Sequence, residues 1–389
     1  MSSGSREIVY LDHAATSWPK PPQVAEAVVE ALTASGGNPG RAAHHLALAA
    51  SRLVHGARRD VAALLGIADA RDLLFQPGCT QALNLVLFGL LEPGDRVVTT
   101  SEEHNAVSRP LNALARRGIE VVVVAADEWG FISPESIADA LAHGGARAVI
   151  CQQASNLTGA IQPVERIARV VRDAGAWMLV DGAQAGGHLD VDLGELGVDA
   201  WACSGHKGLL GPQGIGVLYL AESCRPEPLV YGGTGAGRSE DADQPLERPD
   251  RFEAGTPNTP GIAGLGAAAR LLRSVGVEQR ALEARLTTRL HEGVLEIGGF
   301  RVLGPPPGVA RVPIVSVVHE RLDADHLAGQ LDERWGIAVR PGLHCAPWAH
   351  QSAGTLDTGA LRFGLGWDST DRDVDIALDA LAQLAGHAS

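Results

Sequence analysis

The chain has 389 residues, of which 45% are hydrophobic and 20% charged, with 47 glycines and a formal charge of −14. This composition excludes a disordered or collagen-like chain, and the length allows two or three domains with a cleft between lobes. The acidic balance, with no basic run and no aromatic-basic stripe, argues against a nucleic-acid or anionic-membrane partner.

In chain order, the start from Met1 to Asp12 has no basic segment leading into an apolar core. No apolar stretch reaches the roughly 20 residues that span a bilayer, so a cytoplasmic location and no membrane contact are expected. Only two of the 32 basic residues are lysines, Lys20 and Lys207. A position that keeps Lys where Arg is the rule needs an amine, because Arg stays protonated whereas a Lys amine can condense with a carbonyl. Lys20 lies between prolines, Trp18-Pro19-Lys20-Pro21-Pro22, before a helix, where an exposed surface charge is the expectation. Lys207, in Ser204-Gly205-His206-Lys207-Gly208 directly after a strand, is the chemical candidate.

Short apolar, β-branched runs predict strands at Leu73–Phe75, Arg96–Thr100, Glu120–Val124, Ala148–Cys151, Trp177–Val180, Ala200–Cys203 and Ile215–Leu220. Helical-period segments separate most of them, at Leu46–Leu65, Thr80–Leu90, Val107–Arg117, Pro134–Ala142 and Pro163–Ala174. That alternation predicts an α/β fold, a large domain around a seven-stranded, mostly parallel sheet. Tyr231–Asp250, rich in Gly, Asp and Pro, reads as a loop. From about Pro257 the pattern becomes a smaller α+β domain: two long helices (Ile262–Val275, Val277–Ile297), strands near Val312–Val318 and Leu361–Gly364, and helices at Asp323–Trp335 and Asp371–Ala385.

Open α/β sheets bind ligands beyond the carboxyl ends of their strands. Those ends carry Gly78-Cys79-Thr80-Gln81, Glu102-Glu103-His104-Asn105, Asn156, Asp181 with Gln184, and Ser204, His206 and Lys207. Together they supply what a pyridoxal 5'-phosphate site needs. Lys207 offers the amine and Asp181 a carboxylate for the pyridine nitrogen. Gln184 can reach the phenolic oxygen, and His104 can cover the ring. Thr80, Ser204 and His206, with the helix N-terminus behind Gly78, are phosphate donors, and Cys79 lies in the same turn.

Seven segments, in order, carry a resemblance to a known family. They are Tyr10-Leu11-Asp12-His13-Ala14-Ala15-Thr16, Thr80-Gln81-Ala82-Leu83-Asn84, Glu103-His104, Asp181-Gly182-Ala183-Gln184, Ser204-Gly205-His206-Lys207, Phe252-Glu253-Ala254-Gly255-Thr256-Pro257 and Arg340-Pro341-Gly342-Leu343-His344-Cys345. From about Tyr10 to Asp373 the chain resembles the class V aminotransferase superfamily, in its cysteine desulfurase and selenocysteine lyase branch. The resemblance implies a fold-type I pyridoxal-phosphate homodimer with an N-terminal segment (1–20) packing on the small domain (257–389), beside a large domain (21–256). It implies that Thr256 reaches the phosphate of the neighbouring subunit and that Asn156 lies beside the cofactor ring. Arg362 would hold the substrate carboxylate as a two-point fork, with Asn156 and Ala15 also on the substrate side.

Five cysteines at long, irregular spacings, with no CxxC pair, argue against a disulfide framework. Cys151 and Cys203 end apolar strands, Cys79 lies in the phosphate turn and Cys224 follows the last large-domain strand. Cys345 differs: prolines and a glycine bound its loop, His344 precedes it and could assist a thiolate, and its position matches the family's catalytic cysteine. A metal site from His344, Cys345 and His350 lacks a fourth ligand, so no metal is expected. The expected catalytic residues are Lys207, Cys345 and His104. The expected reaction converts L-cysteine to alanine with a persulfide on Cys345, L-selenocysteine being the alternative substrate. The short interval from Arg340 to Arg362 resembles the group that hands sulfur to an acceptor protein. The rival readings are a lyase, epimerase or aminotransferase on the same scaffold that leaves Cys345 idle, and a non-catalytic regulatory protein that binds the same cofactor.

Overall fold

The computed structural model describes residues 8–40, 44–235 and 241–387. Residues 1–7 of the N-terminal segment and 236–240 of the Gly/Asp/Pro loop lie outside the described residues. After a two-residue strand β1 (Val9–Tyr10) come helices α1 (Pro22–Thr33) and α2 (His45–Leu64). Strands and helices then alternate: β2 (Leu73–Gln76), α3 (Cys79–Leu90), β3 (Arg96–Thr100), α4 (Asn105–Ala115), β4 (Glu120–Val124), α5 (Pro134–Ala142) and β5 (Ala148–Gln152). The series continues through α6 (Val164–Asp173), β6 (Trp177–Asp181), α7 (Leu193–Leu196), β7 (Ala200–Ser204) and β8 (Gly216–Leu220).

These strands form one seven-stranded sheet in the order β2-β8-β7-β6-β5-β3-β4. It is parallel from β7 through β4, and β8 runs antiparallel to both its neighbours. Each of the seven predicted strands is present. The central strands β5 and β7 are buried along their whole length, as expected of a sheet covered on both faces. At Gly216 of β8 a side chain would place its Cβ 2.8 Å from the Gly78 Cα, so glycine there lets this strand pack against the turn that opens α3.

Tyr231–Gly235 and Asp241–Pro249 contain no helix or strand. The two helices expected after Pro257 are a single 39-residue helix, α8 (Thr259–Ile297). Gly276 costs roughly 1 kcal/mol relative to Ala inside a helix, which tertiary packing on both sides outweighs. Ile262, Leu265 and Leu272 in its first half join the core of the large sheet. Leu286, Leu290 and Val294 in its second half join the core of a smaller sheet. That sheet comprises β9 (Phe300–Leu303), β10 (Ile314–His319), β12 (Arg340–Gly342) and β13 (Ala360–Gly364), all antiparallel, in the order β12-β13-β10-β9. Helix α9 (Ala324–Trp335), strand β11 (Ile337–Ala338), helix α10 (Pro347–Ser352) and helix α11 (Asp371–His387) complete it.

The chain just after β1 is a strap between the two sheets. β1 pairs in parallel with β11, and Asp12 bridges to Gly364 at the end of β13. Ala14 lies so close that a Cβ on Gly364 would fall 2.7 Å from its nitrogen. Further on, Ser17 donates its N–H to the His206 carbonyl beside the large sheet at 2.9 Å.

Candidate active site

The carboxyl ends of the large sheet line a partly open cavity. Its lining brings together Cys79, Thr80, His104, Asn156, Asp181, Gln184, Ser204 and Lys207 from the predicted set, along with Ala106, Gln152, Ala154 and Ala183. Asp181 ends β6 and is 4% exposed. Its Oδ1 accepts the Ala183 N–H at 2.9 Å and the Cys79 thiol at 3.4 Å. Burial pushes the Asp181 carboxyl up, against the Ala183 hydrogen bond and the charge of Lys207. Burial likewise pushes the Lys207 amine down, and Asp181 opposes it. The charge of each group thus opposes the effect of burial on the other across a poorly solvated space.

His104 caps α4, its Nδ1 accepting the Ala106 N–H at 2.9 Å. That bond fixes the neutral tautomer with the proton on Nε2. Burial, and then the Lys207 charge, hold its pKa at about 3, so at neutral pH His104 presents an uncharged ring to the cavity. Gln184 donates its amide N–H to the Ala14 carbonyl at 3.0 Å, and Asn156 donates to the His344 carbonyl at 2.7 Å. The opposite oxygens of both side chains, Gln184 Oε1 and Asn156 Oδ1, are buried without a partner. Glu102 and Glu103, read with His104 as strand-end candidates, do not line the cavity. Glu103 Oε1 accepts the Thr100 hydroxyl at 2.6 Å and the Gln152 N–H at 3.1 Å, which ties β3 to β5. The Gln152 side chain donates to the Glu102 carbonyl.

Arg362, central in the small sheet, is 1% exposed. Its Nη1 donates to the Asn156 carbonyl at 3.0 Å and its Nη2 to Asp12 Oδ1 at 3.2 Å, while Nε has no partner. Burial lowers its pKa to about 10. Asp12 thus occupies a carboxylate position on the guanidinium. Ala15 and His206 lie outside the cavity lining. Thr256 is exposed, on a segment anchored by Glu253, whose carboxylate takes the Arg58 guanidinium at 2.7 Å through both oxygens and the Phe75 N–H at 2.6 Å.

Cys345 is the exposed cysteine, and Cys79, Cys151, Cys203 and Cys224 are buried and free. His344 and Cys345 are consecutive left-handed residues, with φ of 51° and 56°. A non-glycine residue held there stores strain on the order of 1 kcal/mol and persists only where its surroundings fix it. Here they do: the Cys345 carbonyl accepts the Asn105 N–H at 2.7 Å, and the His344 carbonyl takes Asn156. The His344 ring does not serve the thiol. It is 3% exposed, with Nε2 donating to the Arg340 carbonyl at 3.0 Å and Nδ1 3.2 Å from His350 Nε2. His350 Nδ1 in turn lies 2.8 Å from the Thr355 hydroxyl. The expectation that His344 assists a thiolate is corrected: its hydrogen bonds are spent bracing the loop. The neighbour of the sulfur is Arg340, with Nη2 3.8 Å from Sγ.

Three residues of this neighbourhood escape sequence reasoning as site groups, Asp12, Arg340 and Lys20, and His350, weighed there only as a metal ligand, instead braces the loop. Asp12 and Arg340 lie inside quoted motifs, so their signal was present. Lys20 is not a surface charge: it is partly buried and donates to Ser17 Oγ at 2.7 Å and to the His206 carbonyl at 2.9 Å.

The family model for aminotransferase class V matches residues 9–377. A probable cysteine desulfurase of Methanothermobacter thermautotrophicus is 36% identical over 98% of this chain and 96% of its own length. The apo structure of a cysteine desulfurase from Thermococcus onnurineus superposes with a TM-score of 0.90 at 32% identity, over 98% of this chain and 95% of that one. The cysteine desulfurase CsdA from Escherichia coli, solved as an S-sulfonic acid, superposes with a TM-score of 0.85 at 30% identity, over 97% and 94%.

Proposed function

The chain belongs to the class V aminotransferase family, and on that premise we propose that it is a cysteine desulfurase using pyridoxal 5'-phosphate to convert L-cysteine to alanine and a Cys345 persulfide. The residues fit the cofactor: Gln184 Oε1 and Asn156 Oδ1 are buried and unpartnered beside the cavity, and the wall offers an amine, a carboxylate, an imidazole face and hydroxyls. Lys207 would hold the cofactor and Asp181 would keep a proton on its ring nitrogen. His104 would cover the ring. Thr80, Ser204 and the N–H groups opening α3 would hold the phosphate, with Cys79 in the same turn and His206 beside it. When bound, the cofactor supplies an electron sink for the substrate Cα.

The chain's own groups do the rest. Arg362 binds the substrate carboxylate in the place Asp12 fills, with Asn156 and Ala15 flanking it. The freed Lys207 amine, its pKa lowered by burial, removes the Cα proton and later returns a proton to the product. Cys345 sulfur attacks the substrate sulfur. A sulfur–sulfur bond forms, and the carbon–sulfur bond breaks with its electron pair left on the carbon fragment, which is protonated to alanine. Arg340 is placed to hold an anionic sulfur during this exchange.

The observation that carries the reading is the position of Cys345: exposed, strained, and tied through its own and the preceding carbonyl to α4 and Asn156 at the cavity wall. Outside it, a groove lined by Arg109, Asn112, Arg340, Leu343 and Trp348 leaves the thiol open to a sulfur-acceptor protein. The same proposal includes a homodimer in which Thr256 serves the neighbouring site. It also includes a division into segment 1–20, domain 21–256 and domain 257–389, although the first half of α8, inside the last range, packs into the core of the large sheet. No helix among the described residues is long and apolar enough to cross a membrane.

Cys345→Ser tests the reaction. The variant should keep the cofactor's visible absorbance and still bind L-cysteine, yet form little alanine, while wild type should carry added sulfur on the Cys345 peptide by mass spectrometry. Full alanine production by the variant, or pyruvate and ammonia as products, would replace the desulfurase with a lyase.

A further inference from the structure

The two lysines of this arginine-rich chain meet at one peptide unit. The carbonyl of His206, the residue before Lys207, accepts four donors from the strap: Ser17 N–H at 2.9 Å, Ser17 Oγ at 3.1 Å, Thr16 Oγ1 at 3.2 Å and Lys20 Nζ at 2.9 Å. Lys20 also donates to Ser17 Oγ at 2.7 Å, so ammonium, hydroxyl and carbonyl form a closed triangle. Among the described residues no carboxylate enters this group of bonds. A cation held partly buried by a hydroxyl and a carbonyl alone is costly, and burial lowers the Lys20 pKa to about 8.

We propose that Lys20 is a positioning residue for Lys207: it clamps the His206–Lys207 peptide so that the Lys207 amine is aimed into the cavity. The neighbouring peptides are held within their own turn: Gly205 donates its N–H to the Ile215 carbonyl and accepts that of Gly211 at 2.7 Å, and the Lys207 carbonyl accepts the N–H of Leu210, itself a left-handed residue with φ of 60°. The His206 carbonyl belongs to no sheet or helix ladder, so the strap is its whole support. A compact ammonium with three rotatable donors suits two acceptors in a narrow corner. A planar guanidinium, larger and built for a two-oxygen fork, does not, which accounts for Lys surviving here among thirty arginines. The strap also carries Ala14 to Gln184 and Asp12 to Arg362, so the clamp ties the amine to the expected substrate-carboxylate site.

This inference rests on the cofactor reading, and the experiment separates the two. Borohydride reduction and peptide mapping of wild type should find the pyridoxyl group on Lys207; its absence defeats the reading itself. Given that adduct, cofactor-loaded Lys20→Met should lose ~10-fold in kcat, as expected for a small misplacement of a reacting group. Its KM for L-cysteine should stay within about twofold, and its visible band should titrate at a different pH. Lys20→Arg should not restore it. Wild-type kcat and titration in Lys20→Met overturn the proposal, as does full rescue by Lys20→Arg. Should Lys20→Met fail to fold, Ser17→Ala opens the triangle while sparing the Ser17 N–H bond; it should show the same changes at smaller size, and wild-type behaviour there overturns the proposal equally.

Discussion

The cavity at the carboxyl ends of the large sheet and the loop bearing Cys345 touch through Asn156, yet they are built in opposite ways. Asp181 and Ser204 are the last residues of buried central strands, so the sheet itself sets their spacing, and Lys207 follows three residues later. The Cys345 loop leaves an edge strand containing Pro341, passes through two left-handed residues, and is held by groups from elsewhere: Asn156, the Asn105 N–H and the His344–His350–Thr355 chain. On the proposed function, the rigid region would supply what any reaction at Cα requires, and the braced, exposed region what is particular to sulfur. Substitutions should therefore divide into those that stop all turnover and those that stop only desulfuration.

The largest effect belongs to the rigid side. Asp181→Asn keeps an oxygen for Ala183 N–H and the Cys79 thiol, so the cofactor should still bind, but the negative charge is gone. Turnover should fall about 100- to 1000-fold, the size of an electrostatic contribution of about 3 to 4 kcal/mol. Near-normal kcat would show that another group holds the ring proton.

A smaller effect tests the loop. His344 and His350 have pKa values lowered by burial to about 3 and about 4, so both are neutral at pH 7 and can pass one hydrogen bond to the next. His350→Ala leaves the buried His344 Nδ1 without a donor, a cost of about 1 to 3 kcal/mol. Alanine formation from L-cysteine should drop about tenfold, the rate equivalent of some 1.4 kcal/mol, with the visible cofactor band unchanged. A shifted band would break the comparison, because loop and cavity would then not be separable.

The same contrast explains what was legible in the sequence. Short buried runs followed by polar residues betray strand ends, which is why Asp181, Gln184, Ser204 and Lys207 could be read as one cavity before any fold was known. Cys345 stood out because Pro and Gly mark an exposed turn. Partners chosen by three-dimensional packing were not legible. His344 beside Cys345 in sequence suggested a base, but its left-handed backbone sends the ring into the interior. Arg340, five residues away, is the group that reaches the sulfur. Lys20 read as a surface charge because nothing local shows that the strap crosses to His206, 186 positions on. Gly276 suggested a break in α8 because propensity cannot show that both halves are packed.

The smallest expected effect concerns Glu103, which braces the rigid side from behind. Burial raises its pKa from 4.5 to about 8, only partly offset by the Thr100 hydroxyl and the Gln152 amide. The folded state therefore keeps a proton that the unfolded chain releases above about pH 4.5. The group's contribution to stability is complete below that pH, falls as pH rises towards about 8, and is level beyond. Glu103→Gln retains an oxygen for Thr100 and Gln152 and cannot ionise, so this part of the decline should vanish, leaving the slopes due to the other shifted groups, among them Glu102, whose pKa burial raises to about 7. The Tm of Glu103→Gln relative to wild type should thus climb between about pH 5 and about pH 8, whatever its offset at pH 5. A Tm difference that stays constant across that range would mean that Glu103 is already ionised at neutral pH, and that the sheet behind the cavity tolerates a buried charge.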